Sequence, residues 1–196
     1  MKNYYNEISI LETTNKIEKK IIDAFIEIYE NKPIEKISIK MITDLAGLNR
    51  GTFYLHYLDI YDLLEKIESK FHNISKSIAF YTVNALFNNE IIENALPNIE
   101  FYKSNIKYFK VLLCMKGKSN LEEIMKKELK KSLIEKYENT TLRNSHLNEY
   151  ALEYISSAQV ATIIFWIKND MNIPLRDISK LMQNLATNGA LNFFKN

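Results

Sequence analysis

Arg50, Thr52, Tyr54 and His56 fall on one short segment and bring together a guanidinium, a hydroxyl, a phenol and an imidazole. Such a face offers the donors that base edges and phosphate oxygens accept. Asn49 is suited to cap a helix beginning at Arg50, while Phe53 and Tyr57, four residues apart, share the opposite side. With Leu48 they can anchor the segment on Leu45 and Ile42 of a preceding short helix. That helix opens at Ser38, whose hydroxyl can accept from an unpaired backbone N–H. It presents Ile39, Ile42, Leu45 and Ala46 on one face and ends at Gly47, where positive φ is expected. Two short helices with no room for a longer loop predict a helix-turn-helix. Gly51 has two readings: a missing side chain that lets the backbone approach a partner, or a first-turn position where glycine costs little.

Ala46-Gly47-Leu48-Asn49-Arg50-Gly51-Thr52-Phe53-Tyr54-Leu55-His56-Tyr57, followed by Asp59, Asp62, Leu63 and Leu64, resembles the signature of the TetR/AcrR family of bacterial transcriptional regulators. The match is gap-free. It covers about a quarter of the chain strongly, and about a third with the helix before it. The resemblance implies a three-helix DNA-binding head, a helical ligand-binding and dimerisation body, and repression relieved by a small molecule. It places Arg50, Gly51 and Thr52 at base edges and Tyr54, His56 and Ser38 at phosphates, and Lys40 joins them in fixing register. Asn49 belongs to the same DNA-facing set. Tyr61 is a departure, because many members carry a phosphate-binding lysine there; a phenol donates a hydrogen bond but brings no charge.

Elements must hold that segment in place. Ile17, Ile21, Ala24, Phe25 and Ile28 recur at three and four, predicting a helix over about 16–31 that covers the motif and stops at Pro33. Asp59 can cap a fourth helix carrying Ile60, Leu63, Leu64, Ile67, Phe71 and Ile74, which links head to body. A pivot of this helix on ligand binding would change the separation of two heads that must meet half-sites roughly 34 Å apart. The expected organisation is a flexible arm over 1–14, a helix-turn-helix domain over 15–58 and a helical ligand-binding and dimerisation domain over 59–196.

The chain has 196 residues, 46% of them hydrophobic, with 4 Gly and 3 Pro, which favours an all-α fold of about nine helices. Net charge is +2, and residues 1–60 hold eight Lys or Arg against nine Asp or Glu. A nucleic-acid reading therefore rests on pattern, not on a basic excess. The single cysteine, Cys114, excludes an intrachain disulfide and fits a reducing cytoplasm. The start has no signal-peptide core, and the longest apolar stretch, Val160 to Ile167, falls short of the ~20 residues a membrane span needs. No histidine pair, nucleophile elbow or glycine-rich loop suggests an enzyme, a metal or a cofactor. Lys116-Gly117-Lys118-Ser119 lacks the spaced glycines of a phosphate loop and reads as a turn.

Beyond the fourth helix, the spacing predicts helices over about 95–103, 106–115, 121–137, 147–171 and 174–194. Lysine pairs on the third of these alternate with glutamates, as on a solvated face. Phe101, Tyr108, Phe109, Tyr150, Tyr154 and Trp166 supply aromatics for a ligand pocket, although helical aromatics are also ordinary core. On the last two helices Ile155, Ala158, Thr162 and Phe165, with Leu181, Leu185 and Gly189, allow close helix approach. They suit a four-helix interface between two copies of the chain, or burial within one. The partners expected are a palindromic double-stranded DNA operator, an unidentified small-molecule effector and a second copy. The alternative is a helical protein-interaction module whose helix-turn-helix no longer binds DNA.

Overall fold

The computed structural model describes residues 15–91, 105–114, 120–137 and 146–189. The expected arm over 1–14, the helix over 95–103 with Phe101, the Lys116–Ser119 turn and the end of the last helix lie outside these residues. The described residues form eight α-helices and one 3-10 turn and contain no strand. The helices are α1 (Lys16–Tyr29), α2 (Ile39–Ala46), α3 (Arg50–Tyr54), α4 (Ile60–Asn88), α5 (Ile106–Cys114), α6 (Leu121–Tyr137), α7 (His146–Lys168) and α8 (Leu175–Asn188). The all-α expectation is met. No described helix is long and apolar enough to cross a membrane.

The chain divides into two compact units. The first comprises α1 to α3, the start of α4 up to Ile74, and α5. Ile21, Phe25, Tyr29, Ile42, Phe53, Leu63, Ile67 and Phe71 are its buried centre. Phe25 stacks on Tyr29 with ring centroids 5.2 Å apart. Phe71 meets Phe109 of α5 edge-on at 4.7 Å, and the Tyr108 hydroxyl donates to Asp23 of α1. The 3-10 turn Ile34–Lys36 follows Pro33 and drops Ile34 into the same core.

The second unit holds the remainder of α4 with α6, α7 and α8. Leu86, Leu129, Leu133, Ile155, Val160, Ile164 and Met182 lie inside it. Phe87 packs edge-on against Tyr137, whose phenol is pushed up to about 12 by burial. Asn89 ends α4 with positive φ and accepts a hydrogen bond from Gln183 of α8. The α7–α8 turn passes through positive φ at Asp170 and Met171 and is pinned by the Trp166 indole N–H, which donates to the Ile173 carbonyl at 2.7 Å.

Helix α2 ends as its sequence requires. Gly47 has φ 66° and ψ 38°, Leu48 N–H donates to the Thr43 carbonyl at 2.9 Å, and Gly47 N–H donates to Asp44. This pair of bonds closes the helix only with a left-handed residue at the stop. Nothing lies within 4 Å of where a Gly47 Cβ would stand, so a side chain there meets backbone strain alone. Gly47→Ala should therefore lower stability by about 1 kcal/mol, and Gly47→Asn by less, seen as a lower urea midpoint at unchanged slope. An unchanged midpoint for the alanine variant would show that this turn does not need the left-handed conformation.

Candidate nucleic-acid interface

A five-residue helix cannot persist alone, since nucleation costs more than so few backbone bonds return. Helix α3 is held from three sides. At its start the Asn49 side-chain oxygen accepts from Thr52 N–H at 2.8 Å and from the Thr52 hydroxyl at 3.0 Å. Beneath it Phe53 is fully buried and Tyr57 nearly so, with their rings 5.6 Å apart. Burial, followed by Glu18 and Asp62, raises the Tyr57 phenol well above its ordinary value. At its end the backbone is tied to α4: Leu58 N–H donates to Asp62 at 2.8 Å, Asp62 N–H donates to Asp59 at 2.8 Å, and Lys66 Nζ donates to the His56 carbonyl at 3.0 Å.

These anchors leave the polar side of α3 outward. Arg50 and Gly51 are exposed, Tyr54 is 57% exposed, and Thr52 is half-buried with its hydroxyl turned to Asn49. A Cβ on Gly51 would stand 3.2 Å from the Asn49 side-chain oxygen. Glycine here thus clears space for the cap, a reason not visible in the sequence. Ser38 caps α2 by accepting from Met41 N–H at 3.3 Å, and Lys40 pairs with Asp44 at 2.7 Å on an exposed surface. His56 is drawn inward, its Nδ1 lying 3.4 Å from Glu18, which also lies 3.7 Å from Lys70. Tyr61 is 45% exposed near the start of α4.

Leu45 departs from the expected buried face of α2 and is 49% exposed, whereas Thr43 is buried. The Thr43 hydroxyl satisfies itself on the Ile39 carbonyl at 3.0 Å, which lets a polar residue face the core. Leu55 and Leu58 are also exposed, at 83% and 80%.

In the second unit a cavity of about 50 Å³ lies among Ser75, Ile78, Ala79 and Thr82 of α4, Met125 and Leu129 of α6, Gln159, Val160 and Ile163 of α7, and Met182 of α8. Of the aromatics expected to form a pocket, Tyr108, Phe109, Tyr150, Tyr154 and Trp166 are described and none of these lines it. Tyr150 and Tyr154 are exposed at 74% and 67%, Trp166 serves the α7–α8 turn, and Tyr108 and Phe109 belong to the first unit. Among the described residues, the buried Ser75 hydroxyl and Gln159 side-chain oxygen have no hydrogen-bond partner. A buried polar atom left so costs about 1–3 kcal/mol. The signal for Gln159 was present in the sequence: a lone amide inside the run Ala158-Gln159-Val160-Ala161.

Of the residues expected at a dimer interface, Ile155 is buried in its own unit. Ala158, Phe165, Leu181, Leu185 and Gly189 are exposed, and Thr162 is half-buried. No group of histidine, cysteine or carboxylate side chains among the described residues could hold a metal ion.

Asp62 links α3 to α4, and its carboxyl is held below its ordinary value, first by the Leu58 N–H bond and then by Lys66. Its contribution to stability is therefore complete above the ordinary carboxylate range and is lost as pH falls through the lowered folded value. The melting-temperature gap between wild type and Asp62→Ala should be widest at neutral pH and close as the solution is acidified through the ordinary carboxylate range and below it. A gap independent of pH would remove the carboxylate's charge from the account.

Residues 89–188 match the model of the TetR-type family described as transcriptional regulator C-terminal region. An uncharacterized HTH-type transcriptional regulator of Bacillus subtilis (strain 168), YxbF, is 21% identical over 179 residues, an alignment covering 87% of this chain and 44% of that protein. The chain thus spans less than half the length of this curated relative. Two solved structures share the fold. The dihydroxyacetone kinase operon activator DhaS matches with a TM-score of 0.58 and 19% identity, covering 92% of this chain and 97% of that one. The fatty acid degradation regulator FadR from Bacillus halodurans matches at 0.57 and 15%, covering 90% and 97%. With the family model matching half of its length and a helix-turn-helix at its head, the chain belongs to the TetR-like family of transcriptional regulators.

Proposed function

We propose that this regulator is a homodimeric repressor of the cytoplasm that reads a palindromic double-stranded operator through α3 and is released by a small-molecule effector. The observation that carries this reading is the two-sidedness of α3: Phe53 is fully buried, while Arg50 and Tyr54, on the same five-residue helix, stand exposed. The exposed side enters the major groove, where Arg50 suits guanine O6 and N7 and the Thr52 methyl suits thymine. Asn49 and Gly51 let the backbone come close. Tyr54, His56, Ser38, Lys40 and Tyr61 meet phosphates, His56 through Nε2 because Nδ1 faces Glu18.

Homodimer formation is supported by the outer faces of α7 and α8. Tyr150, Tyr154, Ala158, Ala161 and Phe165 follow one another at three and four along α7 and are all exposed, and Leu181 and Leu185 repeat this on α8. So much apolar surface on one side is what a symmetric helical interface covers. Effector control is supported by the cavity in the second unit, one wall of which belongs to α4, the helix that also follows the reading motif.

A second reading, a protein-interaction module, draws on the exposed Leu55 and Leu58 beside α3 and on the near-neutral head. Salt separates the two: affinity for duplex DNA falls steeply with ionic strength when phosphates are contacted, and no duplex binds at low salt when they are not.

With a duplex selected from a random pool, Arg50→Ala should weaken specific binding by about 1–3 kcal/mol and relax base choice at one position of each half-site. Unchanged affinity and preference in a fluorescence-anisotropy titration would reject Arg50 as a reading residue. Phe165→Glu combined with Leu185→Glu should convert a dimer to a monomer in sedimentation, with a melting temperature that is lower and no longer rises with protein concentration. Persistence of the dimer would place the interface elsewhere.

A further inference from the structure

The cavity of the second unit has a chemistry that narrows what can occupy it. Among the described residues, no charged side chain lines it. Gln159 donates its Nε2 to the Met182 carbonyl at 3.2 Å, so the carboxamide cannot turn round without opposing two oxygens. Its Oε1 is thereby committed as an acceptor with no donor among the described residues. In this unit Ser156, Thr162 and Thr187 bond back along their own helices, to Leu152 at 2.8 Å, Ala158 at 2.7 Å and Gln183 at 2.9 Å. Ser75 is buried and its hydroxyl has no hydrogen-bond partner among the described residues. Two unpaired polar atoms, a fixed acceptor and a hydroxyl able to donate or accept, thus belong to side chains that line one largely apolar space, to which Thr82 also contributes.

We infer that this cavity takes a small uncharged molecule with an O–H or N–H donor on a short apolar body, the donor bonding Gln159 Oε1 and the ligand's heteroatom accepting from Ser75. A charged effector is disfavoured because its desolvation would meet no counter-charge. The volume, about 50 Å³, exceeds one water and admits roughly four water-sized spheres, the length of a short-chain alcohol or amide. Met125 and Met182, flexible thioethers in the wall, allow some enlargement. This assignment rests on the reading that an effector binds the second unit and specifies its chemical class.

The test uses the full chain labelled with ¹³C at methionine methyls and four probes in the millimolar range: 1-butanol, its isomer methyl propyl ether, which lacks a donor, butyrate and butylammonium. 1-Butanol should shift the Met125 and Met182 signals saturably, the ether should bind at least about ten-fold more weakly, as one lost hydrogen bond implies, and the two ions should leave both signals in place. Gln159→Leu should bring alcohol and ether within about two-fold of each other, whereas Ser75→Ala, which removes a donor that both oxygens can accept from, should weaken both and leave their ratio unchanged. Equal binding of alcohol and ether by the wild type, a preference that survives Gln159→Leu, binding of either ion, or no shift with any probe would each overturn the assignment. The same alcohol titration against the DNA complex keeps the two readings apart. Binding with the expected preference but without loss of DNA affinity would sink release by effector and leave the ligand class standing.

Discussion

Everything in the head depends on one constraint: a helix of five residues must be held rigid from outside, because it cannot hold itself. The fully buried Phe53 ring fixes it from below, and the Asn49 side chain fixes its first turn. Neither anchor covers the outer side of the helix, where Arg50 and Tyr54 are exposed. The polar side is consequently both exposed and stiff, the combination that lets a short segment present donors in a defined pattern. Gly51 fits the same logic, since any larger residue would crowd the Asn49 oxygen.

The fixing extends into α4 through charge. Lys66 touches both the His56 carbonyl and the Asp62 carboxylate, and its ammonium lies 5.2 Å from the Tyr57 ring centre. Asp62 in turn holds Leu58. The loop between α3 and α4 is thus tied by two side chains one turn apart on α4. Helix α4 runs on for 29 residues and ends within the second unit, so it joins the reading motif covalently to the wall of the cavity.

Much of this was legible in the sequence because caps and stops are local. Ser38, Gly47 and Asn49 act where their types place them, and Leu121–Tyr137 has the bounds that its spacing predicts. The orientation of α7 was not legible. It carries apolar residues on all sides, Leu152, Ile155 and Ile164 inward and Tyr150, Tyr154 and Phe165 outward, so periodicity alone cannot choose its buried face. The cavity escaped for a related reason. Aromatic content pointed to surface and core positions, whereas the polar atoms at the cavity, on Ser75 and Gln159, are marked by what they fail to bond, and that requires coordinates.

The most direct measurement of whether α3 enters a groove is guanine N7 methylation interference on a duplex recovered from a random pool. The account predicts that methylation blocks binding at guanines in two major-groove faces whose centres lie about 10 base pairs apart or a multiple of that. Undiminished binding to a duplex methylated at every guanine would contradict it.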